Sequence, residues 1–139
     1  MADKRPYYIT TAISYPIDAP HIRHAYEAVA TDALARFRRL QGRDVFFLTG
    51  TDEHGIKMVK TAADLKVEPQ ELVDRVVKIF ADVWTEWKIT HDDFIRTTSD
   101  RHKTAVTEIV KKLTASDDIY LGKYGGWYDE GQEEFVTET

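Results

Sequence analysis

No cysteine occurs among the 139 residues, so neither a disulfide framework nor a thiolate zinc site can form, and cysteine usage says nothing of the redox compartment. Long apolar runs are missing as well: nothing approaches the ~20 consecutive apolar residues that a transmembrane helix needs. Basic charge is not in excess. A formal net charge of −5 argues against a general nucleic-acid binder, DNA included, because affinity for phosphate backbones comes mostly from clustered Lys and Arg. Any RNA contact has to be local. The first residues, MADKRPYYITTAISYP, run straight into a β-branched and aromatic stretch with no apolar signal core and no small-residue cleavage site. A cytoplasmic protein without membrane segments is the expectation. Internal repeats and low-complexity blocks are also lacking.

What is present is ordinary for a globular domain: 42% apolar and 31% charged residues, in a chain long enough to bury a core without staples. Tyr7 to Ile13 alternates and reads as a first strand, ending at Ser14-Tyr15-Pro16. After a loop bordered by Pro16 and Pro20, the residues Ile22, Tyr26, Val29, Ala33, Phe37 and Leu40 recur at spacings of three and four, which predicts one apolar face of a long helix. Gly42 stops it, with Arg36, Arg38 and Arg39 near the negative end of the helix dipole. Val45 to Thr49 is a continuous apolar run of the kind expected for a strand covered on both faces. Strand, helix, strand makes a βαβ unit, and its two strands end at the same sheet edge.

Two further helices are predicted, one from about Ile56 to Leu65 and one entered at Glu68-Pro69. The second carries the stripe Leu72, Val76, Phe80, Val83 and Trp87, and the pair Trp84 and Trp87 reads as core. Phe94 to Thr97 is a third strand. Ser99 is a candidate N-cap, and Val106, Ile109, Val110 and Leu113 form the buried side of a last helix. Ile119 to Tyr128 reads as two short strands around Gly125-Gly126, and the acidic stretch from Glu130 to Thr139 as solvated or disordered. The fold class is therefore α/β, a parallel sheet with flanking helices.

In such sheets ligands bind outside the carboxyl ends of the strands. Two loops qualify: Pro20-His21-Ile22-Arg23-His24 after the first strand and Gly50-Thr51-Asp52-Glu53-His54-Gly55 after the second. Histidines three apart in a first helical turn lie on one side, beside free backbone N–H groups, and can donate to phosphate oxygens. Asp52 at the opposite lip can hold a substrate ammonium. Plainer readings stand beside these. Histidines at a helix start are more often capping or surface groups, and Asp52-Glu53-His54 is equally well turn and cap chemistry. Metal binding by His21, His24 and Asp52 fits the ligand types but not a zinc-protease spacing.

The strings YYITTAISYP, PHIRHAYEAVATDALARFRRLQGRDVFFLTGTDEHGIKM and DDIYLGKYGGWY resemble methionyl-tRNA synthetases, a class I aminoacyl-tRNA synthetase family. The histidine signature and TGTDEHG, in this order and spacing, are the most specific parts. The resemblance implies the first half of a Rossmann-type catalytic domain over residues 1–118, and the truncated start of a connective-peptide insertion over residues 119–139. It implies activation of methionine with ATP, Mg2+ accompanying the nucleotide, and transfer to tRNA(Met). Carried across position by position, His21 and His24 are the catalytic histidines at the ATP phosphates, with Glu27 on the ATP side. Ala12, Ile13 and Tyr15 line the methionine pocket, and Asp52 binds its amino group.

Two departures stand out. The family signature is His-Ile-Gly-His, but Arg23 occupies the glycine position, where a small residue lets the adenine and ribose approach. Ile17-Asp18 stands where the family favours Asn-Gly, and an Asp18–Arg23 ion pair is the expectation that would make the changes a matched set. The family's second half, with its Lys-Met-Ser-Lys-Ser loop, and its anticodon-binding domain have no counterpart here, so a chain incomplete or impaired on its own is expected. Without cysteine no zinc site is expected in this chain. Half a doubly wound sheet also leaves an edge and an apolar face open to association. A non-catalytic module that binds methionine or a nucleotide is the alternative. A third reading, a separate nucleotidyltransferase with a similar histidine pair, is opposed by TGTDEHG and the GGWY tail.

Overall fold

The computed structural model describes residues 5–123, 125–129, 131–132 and 134–136. It divides into two compact units, Met1–Thr104 and Ala105–Thr139. In the first unit, three strands, β1 (Tyr7–Thr10), β2 (Val45–Thr51) and β3 (Asp93–Arg96), pair in parallel in the order β1-β2-β3. Helix α1 (Ile22–Leu40) joins β1 to β2, while α2 (Ile56–Leu65) and α3 (Pro69–Glu86) join β2 to β3. This is the expected α/β sheet with flanking helices.

Right-handed crossovers that advance in one direction lay their helices on one face of the sheet. The core follows from this. Val45 and Phe47 of β2 cluster with Ala28 and Ala35 of α1, Met58 and Ala62 of α2, and Leu72, Val73, Val76, Phe80 and Trp84 of α3. The opposite face of β2 is open: Phe46 is 47% exposed and stacks on Tyr8 of β1, with ring centroids 5.9 Å apart. The expectation that β2 is covered on both faces is therefore wrong for Phe46, because α1 to α3 share one side.

The apolar stripe expected to be the inner face of α1 is instead its outer face. Ile22, Tyr26, Val29, Phe37 and Leu40 are all at least half exposed, and the buried positions are Ala28, Thr31, Asp32 and Ala35. Small side chains let the helix lie close to the sheet. The buried carboxylate at Asp32 is satisfied there: Oδ1 accepts the Thr90 N–H and hydroxyl, and Oδ2 accepts from Arg36 at 2.6 Å. Burial works against its charge, but the bonds from Thr90 and Arg36 outweigh this and hold its carboxyl below the ordinary Asp value. A buried aspartate with partners is invisible to a rule that places only apolar side chains inside.

Helices α2 and α3 keep their expected starts, α3 with Pro69 in its first turn. Its seam rotates slightly: Trp84 is buried and Trp87 is 43% exposed, their rings 5.7 Å apart. Strand β1 is shorter than expected. It leaves the ladder after Thr10 and returns for one bridge between Ser14 and Thr51. Ser99 immediately precedes helix α4 (Asp100–Ala115), at the expected N-cap position: its carbonyl accepts the Lys103 N–H at 3.0 Å, and its hydroxyl donates to the Arg96 carbonyl at 2.7 Å.

No residue of α4 is buried, against the expectation for Val106, Ile109, Val110 and Leu113. In the second unit, β4 (Trp127–Asp129) pairs antiparallel with β5 (Glu134–Val136). The hairpin thus falls later than the expected turn at Gly125-Gly126. Part of the acidic stretch is a strand because Phe135 meets the Tyr128 ring at 5.2 Å.

Candidate active site

The three parallel strands end at one edge of the sheet, and the loops that follow them converge there. A cavity of about 390 Å³ is lined by Ala12, Ile13, Tyr15, His21, His24 and Glu27, together with Ser14, Ile17, Asp18, Ala19 and Arg23. Six of the seven residues singled out in the sequence thus share one cavity. Asp52 is not in its lining.

The first lip is the start of α1. His21 is the N-cap: its Nδ1 accepts the Arg23 N–H, and its own N–H donates to Nδ1 of His24. Each imidazole spends Nδ1 as an acceptor, so each neutral ring carries its proton on Nε2 and keeps that donor for a ligand. The capping and ligand-binding readings of these histidines are therefore compatible. The rings lie 4.0 Å apart. Partial burial, followed by the nearby charges of His21 and Arg23, lowers the His24 pKa from the usual 6.5, with Glu27 acting in the opposite sense.

The expected Asp18–Arg23 ion pair is not among the contacts of the described residues. Asp18 Oδ1 instead accepts the adjacent Ala19 N–H at 2.7 Å, and Arg23 is among the residues that line the cavity. Glu27 reaches back across the crevice, where Oε1 accepts the Ala12 N–H at 2.6 Å. That bond holds the irregular stretch between Thr10 and Ser14 against the histidine helix.

The second lip follows β2. Asp52 N–H donates to the Ser14 carbonyl at 2.9 Å, and Ser14 N–H donates to the Gly50 carbonyl at 3.2 Å. The lips are thus joined at Ser14, and a Cβ on Gly55 would lie 3.9 Å from the Tyr15 ring. Asp52 Oδ1 accepts the His54 N–H at 3.4 Å. Its neighbour Glu53 is buried and fully bonded. Arg96 grips both of its oxygens, at 2.8 and 2.9 Å, Thr51 donates at 2.6 Å, and Thr98 donates as well. Burial opposes the Glu53 charge, but these bonds outweigh it and hold the carboxyl below the ordinary Glu value.

Sequence reasoning passed over Arg96, Thr97 and Thr98. The available signal is the register: Arg96 ends β3 opposite Thr51 at the end of β2.

This geometry has close relatives. The family profile of the class I (M) tRNA synthetases matches residues 7–139. The chain belongs to that family. It is 51% identical over 137 residues to the methionine–tRNA ligase of Listeria monocytogenes, covering 99% of this chain and 21% of the relative. It is 50% identical over 139 residues to that of Enterococcus faecalis, again covering 21% of the relative. Its fold matches a Mycobacterium tuberculosis methionyl-tRNA synthetase solved in complex with methionyl-adenylate. There the TM-score is 0.91 and the identity 48%, over 96% of this chain and 26% of that one. The chain thus spans about a fifth of the length of the curated relatives it matches. No helix among the described residues of this synthetase-family chain is long and apolar enough to cross a membrane.

Proposed function

We propose that the crevice at the carboxyl edge of the sheet is the amino-acid-activating site of a methionyl-tRNA synthetase. The observation that carries this reading is the cavity itself. It joins a histidine pair at a helix start to the Ala12–Tyr15 segment, in a chain 48% identical to an enzyme solved with methionyl-adenylate. Methionine lies along Ala12, Ile13 and Tyr15, with its ammonium toward Asp52. ATP places its phosphates at the N-terminus of α1, with the ribose side toward Glu27.

A carboxylate oxygen of methionine attacks the α-phosphorus. The new P–O bond gives methionyl-adenylate, and the bond to the bridging oxygen breaks, with pyrophosphate taking the electron pair. Nε2–H groups of His21 and His24 donate to phosphate oxygens as charge moves onto them, which favours the transition state over bound ATP. In the second step the terminal hydroxyl of tRNA(Met) attacks the adenylate carbonyl carbon, losing its proton, and AMP leaves. That step belongs to the longer protein of the relatives.

Mg2+ is implied with the nucleotide. Among the described residues no group of three or more His, Asp or Glu side chains gathers to hold a metal. An ion carried by the nucleotide phosphates needs no such cluster, and no step is assigned to it.

Residues 1–118 are assigned to the first half of the catalytic domain and residues 119–139 to the start of the connective peptide. The exposed Tyr8 and Phe46 stack and the outer strand β1 offer a surface for association. A cytoplasmic setting goes with the family's role.

Arg23 favours a second reading, a methionine-binding module without turnover. Arg23 puts a long cationic side chain on the wall of the cavity, where a glycine would leave the nucleotide more room, and no Asp18–Arg23 ion pair is found among the described residues. Methionine-dependent exchange of labelled pyrophosphate into ATP, measured with this chain in place of the matching fifth of a full-length relative, tests both readings. Exchange lost on His21→Ala or His24→Ala supports the synthetase site; methionine binding without exchange supports the module. Exchange that persists without both histidines refutes their assigned role.

A further inference from the structure

The Asp52 loop carries a buried ion-pair network that the proposed chemistry does not use. Glu53 is 4% exposed, and its side chain is fully enclosed. Its two oxygens take donors from Arg96, Thr51 and Thr98, and its N–H donates to Thr97 Oγ1 at 2.7 Å. Arg96 also reaches Asp74 of α3 at 2.5 Å. The ring of His54 meets the Thr97 carbonyl at 3.2 Å. On the other side, Asp52 N–H is bonded to Ser14. Asp52 is therefore clamped at both of its peptide bonds, on one side by Ser14 in the segment after β1 and on the other, through Glu53, by Thr97 just after β3. Among the described residues, its own carboxylate is bonded only to the His54 N–H, at 3.4 Å.

We propose that Glu53 and Arg96 are positioning residues that fix the backbone on either side of Asp52, so that its carboxylate meets the substrate ammonium in one geometry. The inference rests on the reading of Asp52 given above. A carboxylate held in place loses little freedom on binding, whereas a loose one gives up part of the ion pair in ordering itself. Two adjacent acids thus divide the work: Glu53 spends its charge inside the protein, and Asp52 keeps its charge for the ligand. Lysine at position 96 keeps the charge but loses the planar fork that grips both Glu53 oxygens.

The test is calorimetric titration of the chain with L-methionine and with 4-(methylthio)butanoate, which is methionine without its ammonium. The parent is expected to prefer methionine by roughly ten- to a hundredfold, the worth of a charge-assisted hydrogen bond. Asp52→Asn abolishes the preference. Arg96→Lys reduces it to about threefold or less, while binding of 4-(methylthio)butanoate stays within about twofold of the parent. A purely structural role would weaken both ligands alike, and that result overturns the proposal. So does a full preference in Arg96→Lys. Should Arg96→Lys fail to fold, Thr98→Val removes one donor to Glu53 and is read in the same way.

If the parent shows no ammonium preference, the Asp52 reading fails by itself. Amide hydrogen exchange in Arg96→Lys then decides the positioning claim. Protection lost at Asp52, Glu53 and His54 but kept in β1 retains it, and unchanged protection refutes it.

Discussion

Gly50→Ala gives the sharpest test of how the site is held. Gly50 lies in β2 opposite Ile95 of β3, immediately before Thr51 and Asp52. A Cβ there would stand 2.1 Å from the Ile95 carbonyl oxygen, 2.6 Å from Ile95 Cγ2 and 2.9 Å from the Ile95 carbonyl carbon. Ordinary van der Waals contact begins at about 3.4 Å, so relief needs a displacement on the order of 1 Å between two hydrogen-bonded strands. Overpacking with side-chain neighbours costs about 1–3 kcal/mol. Two of the three obstructing atoms here are backbone, which places the cost at or above the top of that range. With a urea m-value of about 1–3 kcal/mol/M, the midpoint of urea unfolding falls by about 1 M or more. Gly125, whose Cβ would meet nothing within 4 Å, provides the control, and its alanine variant should unfold like the parent. Ile95→Ala does not rescue Gly50→Ala, because trimming that side chain leaves the carbonyl in place. A Gly50→Ala penalty below about 0.5 kcal/mol, or full rescue by Ile95→Ala, refutes the claim that backbone contact fixes this strand pair.

Four further outcomes are expected. The His24 pKa is lowered in the fold, so the unfolded chain binds more protons near pH 6; its share of stability is complete above about 6.5 and is lost as pH falls toward the folded value, a slope that disappears in His24→Gln when midpoints are measured by circular dichroism. Glu53 and Asp32, with carboxyls below their usual 4.5 and 3.8, stabilise the fold above those values and lose that contribution as pH falls through the lower folded ones, so Asp32→Asn flattens the acid limb of the unfolding profile. Glu27→Gln removes the one neighbour that raises the His24 pKa, and an NMR titration should find that pKa lower still, while the Ala12 bond survives through the amide oxygen. Phe80→Ala, at a core position 1% exposed, costs about 3–5 kcal/mol in urea melts.

Period and punctuation served well wherever one signal acted alone. Helix α2 runs from Ile56 to Leu65 and α3 starts at Pro69, both as read, because a glycine before one and a proline within the other mark their starts locally. The same reasoning failed for the facing of α1. Its apolar stripe from Ile22 to Leu40 is real, but the helix turns Ala28 and Asp32 inward, and what settles the choice is Thr90, 58 residues away from Asp32. The site divides in the same way. The histidines and the Ala12–Tyr15 segment are local strings and could be found as such. Arg96 could not, since its meaning depends on Glu53, 43 residues earlier in the chain.

By itself the sequence determined the α/β order of elements, the family, and the residues that could carry chemistry, because these follow from local patterns and motif spacing. Only the tertiary structure decided which helix faces are buried, that Asp18 and Arg23 stay apart, and that Glu53 turns inward while Asp52 does not. The physical reason is the cost of burying charge. A carboxylate can leave water only where distant donors converge on it, and that convergence comes from how the strands and helices pack, not from the identity of its neighbours in sequence.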